Sequence, residues 1–500
     1  MDLSKRRFIQ ALGAAAAMTA IGTPVAVARE RRYDLIIIGG GTAGMPAAIF
    51  GARRGLSVLV IDAAPQIGGT LMLSSGQMSA AGTKLQKQLG IDDTPEEHFQ
   101  DLMRISRGTI DQEIVRLAVN NAAATFDWLV DNGYKVLPGY PVKGILHEPY
   151  TKRRYYWSAL RGVAIFEAMR PQFMQAVNEG KVDLLLEHRA VALQMGKNGL
   201  IAAVTAEDSG GKRVNLHGKN VLLATGGYAS NPKMFEQYSG LPKYLNMSYP
   251  YAQGEGHLLA QSVGGYMRYA EKYLTNFGTL LSSYDVPSTR LATTLFHPHL
   301  RQPWEIYVNS RGERFVREDV PSVDAREQAL RFQPHFRHWV VFDQNILEKA
   351  PPILENWTRE AIAEAFKARR PNFYQSDTIE GLAKAAGLPE RQLLATIEAY
   401  NYGVTTGNDF FGRQHLPAKI EKPPFYAIRH QGTSVTSTAG IAVNNKLQVV
   451  RKDGSVIANL YAAGEILGAG ATQGQAFCGG MMVTPALTFG RLLGSSIIKA

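Results

Sequence analysis

The segment Tyr33–Asp62, reading YDLIIIGGGTAGMPAAIFGARRGLSVLVID, constrains this chain more than any other stretch. Leu35-Ile36-Ile37-Ile38 is a short apolar run that stops at glycines, the pattern of a strand buried on both faces. Gly39-Gly40-Gly41-Thr42-Ala43-Gly44 then fits G-x-G-x-x-G. In that motif the first glycine turns the chain, the second lets backbone approach a pyrophosphate, and the third lets helix and strand touch. Gly39, Gly41 and Gly44 hold these places, and a diphosphate would lie on the N-terminus of the following helix, where free N–H groups favour an anion. Asp62 ends the second strand at the distance where a carboxylate takes ribose hydroxyls. Strand, turn, helix, strand and acid together predict a dinucleotide-binding α/β unit.

Residues 1–28 read as an export signal outside the fold. Ser4-Lys5-Arg6-Arg7-Phe8-Ile9-Gln10 precedes an alanine-rich apolar stretch and Ala26-Val27-Ala28, a small-x-small cleavage site. The paired arginines resemble a twin-arginine signal, a route that carries folded, cofactor-loaded proteins, so the mature chain is expected to be periplasmic or secreted. The apolar part is too short to span a bilayer, and no integral membrane segment is expected in the mature chain.

Five hundred residues, 45% of them hydrophobic, can bury more than one core. Cys478 is the only cysteine, which excludes an internal disulfide and cysteine-ligated zinc or iron–sulfur centres. The net charge of +11 is spread along the chain and not clustered with aromatics, so no nucleic-acid partner is expected. His335 and His338 lie three apart, but adjacent aromatics and the lack of a third ligand leave no metal site predicted.

Downstream, Gly68-Gly69-Thr70 and Ser74-Ser75-Gly76 form a small-residue loop that could let backbone approach a flat cofactor. Helical patterns cover 94–107 and 112–132, and two further helices fall within 378–402. The segment 150–162, YTKRRYYWSALRG, offers either an aromatic pocket wall or the start of an amphipathic helix. Short alternating strands are expected from 182 to 206, and another strand from Asn220 closes on Ala224-Thr225-Gly226-Gly227.

The opening glycine motif, Ala224-Thr225-Gly226-Gly227-Tyr228, Gly254-Glu255-Gly256, Val308-Asn309 with Gly312-Glu313-Arg314-Phe315, and Ala462-Ala463-Gly464-Glu465 occur in order. Together they resemble the fumarate reductase and succinate dehydrogenase flavoprotein family, which includes the 3-ketosteroid dehydrogenases. The resemblance runs from about Arg32 to the C-terminus. It implies a Rossmann-like FAD domain split into 29–270 and 429–500, with an inserted α+β substrate-capping domain at 271–428.

For the cofactor, the resemblance implies Gly39, Gly41, Thr42, Ala43 and Gly44 at the pyrophosphate and Asp62 and Ala63 at the adenosine ribose. It adds Gly69, Thr70, Ser75, Gly76, Val191, Ala224, Thr225, Gly226 and Glu255, with Gly464 and Glu465 at the ribityl chain. Met482 and Val483 open a helix whose N-terminus would face the pyrimidine edge of the flavin. No histidine stands in the 70–80 loop where some relatives attach FAD, so binding is expected to be non-covalent.

The family's dicarboxylate grips are replaced. Ser322 stands where its proton-donating arginine would be, Thr436-Ser437-Thr438 replaces His-His-Thr, and Phe477 replaces a carboxylate-binding arginine. Gly470-Ala471-Thr472 and the Thr484–Gly490 helix are similar to the ketosteroid dehydrogenase branch, whose catalytic tyrosines do not align. His297, Arg301, Arg326 and Tyr156 remain as acid–base candidates. The expected activity is oxidation of a CH–CH bond next to a carbonyl in a fairly apolar cyclic or aromatic substrate, with hydride passing to flavin N5. A periplasmic cytochrome or quinone would accept the electrons. The alternatives are an ene-reductase of small unsaturated carboxylates, a peroxide-forming flavin oxidase, and a non-catalytic electron carrier.

Overall fold

The computed structural model describes residues 31–145 and 147–499, so the expected export signal lies outside the described residues. Arg32–Ile38 is a central strand, and Leu35, Ile36 and Ile37 are fully buried. It pairs in parallel with Val58–Ile61 on one side and with Arg213–Leu223 on the other. The parallel set runs Val456–Ala462, Arg213–Leu223, Arg32–Ile38, Val58–Ile61, Val182–Leu185. Helices cover this sheet, which is why its central strands read as continuous aliphatic runs and not as alternating ones. An antiparallel meander, His188–Met195 and Ile201–Asp208, leads back into Arg213–Leu223, giving an eight-stranded sheet in all.

Helices Gly44–Arg53 and Val483–Leu492 pack together through glycine. A Cβ at Gly490 would stand 2.0 Å from the Ala43 carbonyl oxygen, so the two helices meet at backbone distance. The expected helices appear at Pro95–Ser106 and Gln112–Asp131. The first is closed by a capping box of Thr94 and Glu97. The 150–162 segment is not a helix start. Tyr155–Tyr156 is a short strand paired with Met78–Ser79, and the helix begins only at Gly162.

A second hydrophobic core lies between Phe277 and Ile428, whereas the first draws on Tyr33 to Val263 and on Ile441 to Ile498. The inserted unit is built on an antiparallel sheet of Ile306–Val308, Arg337–Asp343, Phe425–Gln431 and Phe373–Ser376. Its connections run side by side: Thr279 N–H donates to the Gln431 carbonyl at 2.7 Å, and Gln431 N–H returns to Thr279 at 3.1 Å. Asn276 also donates to Thr433 Oγ1 at 3.1 Å. Helix Val323–Arg331 of the insert faces the sheet domain, where Gln328 donates to the Gln475 carbonyl.

Candidate active site

The ends of the parallel strands converge on one crevice. Ile38, Ile61, Ala224 and Ala463 all stand on its wall, the position where open α/β sheets bind ligands. The crevice encloses about 1410 Å³, mouth included. Of the residues expected to hold a cofactor, Gly39, Gly41, Thr42, Ala43, Asp62, Ala63, Gly69, Thr70, Ala224, Thr225, Gly226, Glu255, Gly464, Glu465, Met482 and Val483 line it.

Gly44 stands behind this lining: a Cβ there would meet the Gly39 carbonyl oxygen at 1.9 Å, so it serves helix–strand contact. Ser75, Gly76 and Val191 are not in the lining. Ser75 gives its carbonyl to Trp157 Nε1, and Gly76, at φ 68°, presses on the Arg161-Gly162 backbone. Ala190 and Arg189 front the crevice in place of Val191. Ser74, from the small-residue loop, does line the crevice, whereas Tyr249, Tyr251 and Thr436 were not expected at the cofactor. The tyrosine pair directly precedes Gly254-Glu255-Gly256, a proximity that could have marked it.

Several features of this wall call for an anionic, polar ligand. Helices Gly44–Arg53 and Val483–Leu492 begin at the crevice with Ala43 and Met482 at their N-caps, neither offering a side-chain acceptor. Several helices elsewhere in the chain carry Thr83, Thr94, Asp111 or Thr358 at that position, although those starting after Arg161 and Pro389 are also uncapped. The first free N–H groups at the crevice therefore await an outside acceptor. Thr225 Oγ1 is buried there with no partner. A Cβ on Gly41 would meet only Gly69 Cα, at 3.8 Å, so that glycine leaves open the space a diphosphate needs.

Asp62 accepts from Gly40 N–H at 2.7 Å and Ala64 N–H at 2.8 Å, and burial nevertheless holds its carboxyl above the usual range. Glu465 is likewise raised by burial while accepting from Ser437 N–H at 3.0 Å. Gly227 permits that approach, since a Cβ there would stand 2.6 Å from Glu465 Oε1. These donors and acceptors suit the ribose, diphosphate and ribityl groups of FAD.

A second cavity of about 500 Å³, mouth included, opens one loop away. Its lining includes Gln77, Tyr155, Trp157, Phe477 and Gly479; Gln77 follows the crevice residue Ser74 by three positions, and Phe477 and Gly479 precede Met482 by five and three. Tyr150 OH donates to the Gly479 carbonyl at 2.5 Å, fixing the loop that carries Phe477. His147 stacks on Phe477 with ring centroids 4.1 Å apart. The His147 Nδ1 lies 2.9 Å from Asp324 Oδ1 and 3.8 Å from Glu327 Oε2, both on helix Val323–Arg331. Neighbouring Glu148 pairs with Ser322 on the same side.

The four acid–base candidates separate here. Arg326 is fully buried; one nitrogen donates to the Val320 carbonyl, while Nε and Nη2 have no partner. His297 Nδ1 is also buried without a partner, and desolvation, with the Arg326 charge next, lowers its pKa to about 4. The charges of Arg326 and His147 both bear on His297, so these three share one neighbourhood. Arg301 is committed elsewhere, paired with Glu305 and donating to the Pro351 carbonyl at 2.7 Å. Tyr156 is sealed in the sheet-domain core, its OH 2.8 Å from Thr83 Oγ1 and its ring against Phe126. None of the four lines either cavity; Arg301 and Tyr156 are consumed by packing, whereas Arg326 and His297 keep buried nitrogens without partners. His147 escaped sequence reasoning because its loop has neither periodicity nor motif.

Fold and crevice define a flavoprotein with a split dinucleotide domain and an inserted cap. The family described as FAD binding domain matches residues 34–481, and the chain belongs to it. A probable fumarate reductase of Shewanella frigidimarina is 27% identical over 477 residues, covering 95% of this chain and 76% of that protein. Vinyl phenol reductase of Lactiplantibacillus plantarum is 26% identical over 458 residues, covering 88% and 90%. The fold also superposes on 3-ketosteroid delta1-dehydrogenase from Sterolibacterium denitrificans with a TM-score of 0.68 at 21% identity, covering 93% and 99%. The protein is an FAD-dependent oxidoreductase of the class that acts on CH–CH bonds.

Proposed function

We propose that this enzyme is an exported dehydrogenase that removes hydrogen from a CH–CH bond next to a carbonyl in a neutral cyclic or aromatic substrate. The observation that carries this reading is the aromatic cavity beside the FAD crevice, walled by Tyr155, Trp157 and Phe477. Phe477 stands where a dicarboxylate would need a guanidinium, and bidentate arginines are what grip such substrates. Of the two candidate arginines, Arg301 is already neutralised by Glu305, and Arg326 keeps Nε and Nη2 without partners.

Bound FAD supplies a two-electron acceptor that takes hydride at N5. Gly39, Gly41, Thr42, Ala43 and the helix N-terminus behind them would hold its diphosphate, and Asp62 and Glu465 would take its ribose and ribityl hydroxyls. The attachment is non-covalent. Arg326 supplies positive charge for a carbonyl oxygen that gains negative charge as the adjacent C–H bond breaks, and in a buried site such a charge acts strongly. His297, held neutral by its surroundings, donates a hydrogen bond to the same oxygen. The electrons leave to a periplasmic cytochrome or quinone. Among the described residues no helix is long and apolar enough to cross a membrane.

The vinyl phenol reductase relative favours a second reading, reduction of an aromatic alkene in the same cavity. Binding decides the substrate class: perturbation of the flavin band should report 4-phenylcyclohexanone at least about tenfold more tightly than succinate. Tighter succinate binding would refute the neutral-substrate reading.

A further inference from the structure

We propose that His147 is the residue that exchanges a proton with the substrate carbon next to the carbonyl, and that Asp324 and Glu327 position it from across the cap interface. The proposal rests on the CH–CH oxidoreductase reading and adds the identity of the proton-exchanging group.

The geometry is that of an imidazole held by one nitrogen. Nδ1 donates to Asp324 Oδ1 at 2.9 Å, with Glu327 Oε2 at 3.8 Å, which leaves Nε2 as the working nitrogen. The ring plane is fixed by stacking on Phe477, itself a wall of the aromatic cavity that His147 lines. A histidine at a cavity wall, oriented through its second nitrogen by a buried carboxylate, is the arrangement general-base catalysis requires.

The charges of the cluster agree. Asp324, Glu327 and Arg326 are all buried on one helix, and one proton, on His147 or on Glu327, brings the group to neutrality. Burial alone would oppose protonation of His147; the carboxylates Glu327 and Asp324 outweigh it and raise its pKa above the usual value. A divalent cation is not needed to close this balance, although His147, Asp324 and Glu327 lie close enough together to hold one.

In the step itself the substrate C–H bond breaks and an Nε2–H bond forms. The electron pair stays on the substrate, spread onto the carbonyl oxygen. Return of a proton from Nε2 reverses it. Other charged or titratable groups facing the ring are Lys143 and Glu148 on its own loop, Arg326 on the cap helix, His297 on the cap loop, and the phenols of Tyr150 and Tyr155 across the cavity.

The test is deuterium incorporation into the α-carbon of 4-phenylcyclohexanone by the FAD-loaded protein in D₂O, under anaerobic conditions without an acceptor, followed by mass spectrometry. His147→Gln should lower the rate by about 100-fold or more while flavin content is retained. Asp324→Asn keeps the imidazole and removes one carboxylate, so the low-pH limb of the exchange rate should move down by about one unit. Exchange in His147→Gln within about threefold of wild type, or no shift in Asp324→Asn, would overturn the assignment and leave the substrate class standing. If the ketone perturbs the flavin band of wild type yet exchanges no faster than in buffer, His147 again loses its role. If the ketone neither binds nor exchanges, the neutral-carbonyl reading falls and this proposal with it. Should His147→Gln fail to hold flavin, the Asp324→Asn shift decides.

Discussion

Gly41 and Gly44, three residues apart in the same turn, carry different duties, and substitution separates them. At Gly41 a Cβ meets only Gly69 Cα at 3.8 Å, in space left for the cofactor, so Gly41→Val should leave the apoprotein's melting temperature within a degree or two while abolishing retention of the 450 nm flavin band. At Gly44 a Cβ would stand 1.9 Å from the Gly39 carbonyl oxygen. Gly44→Val should therefore lose flavin and also destabilise the apoprotein by about 1–3 kcal/mol, read by denaturant unfolding. Glu327 provides a pH signature. Burial, opposed by His147, raises its pKa from 4.5 to about 7. Between those values the folded state holds a proton that the unfolded state has released, so this residue's contribution to stability falls as pH rises through that window. Glu327→Gln should flatten the dependence of unfolding free energy on pH from 4.5 to 7; an unchanged slope would show that the residue does not titrate there. The residues legible in sequence were those obeying a backbone rule: Gly39, Gly41 and Asp62 could be placed because strand, turn and acid have fixed spacings. Tyr155 was legible only as one of two readings, a pocket wall or a helix start, and His147 not at all, because what makes them neighbours of Phe477 is tertiary packing between segments more than 300 residues apart.

Among the elements, the segment around Arg154 shows where local pattern fails. Its run of aromatics and arginines suggested a helix start, but Arg154 is fully buried between Asp93, at 2.7 Å, and Asp101, at 2.9 Å, and draws the chain into a short strand beside Met78–Ser79. Two carboxylates from distant positions decide that conformation, so no window of sequence around Arg154 contains the reason. Arg154→Met should cost about 3–5 kcal/mol, because it leaves buried Asp93 without a counter-charge and Asp101 with Arg104 alone. Adding Asp93→Asn and Asp101→Asn should recover part of the loss in the same unfolding assay. The helices at Pro95–Ser106 and Gln112–Asp131 were readable for the opposite reason: Thr94 and Asp111 cap them, and their apolar faces repeat at helical spacing. The aliphatic strands of the parallel sheet were legible on the same grounds, while the extent of the Arg337–Asp343 strand is set by its ladder with Phe425–Gln431, which runs through His338 and Trp339.

At the scale of the molecule, a cap inserted through two adjacent connections places its own helix against the sheet domain, and the contacts there come from both sides. His147 and Glu148 meet Asp324, Glu327 and Ser322, and Gln475 meets Gln328. The site thus depends on two cores, one contributing the cofactor crevice and the aromatic wall, the other the buried charges. That division accounts for a family resemblance strong in the cofactor half and weak at the chemistry: glycines and helix ends answer to an invariant ligand, whereas the cap answers to a particular substrate. The most direct test of the account is an anaerobic visible titration of the FAD-loaded protein with 4-phenylcyclohexanone, with fumarate tested as oxidant of the dithionite-reduced protein. The account predicts bleaching of the flavin band by the ketone, formation of the corresponding enone, and no reoxidation by fumarate. A band untouched by the ketone, together with rapid reoxidation by fumarate, would contradict it.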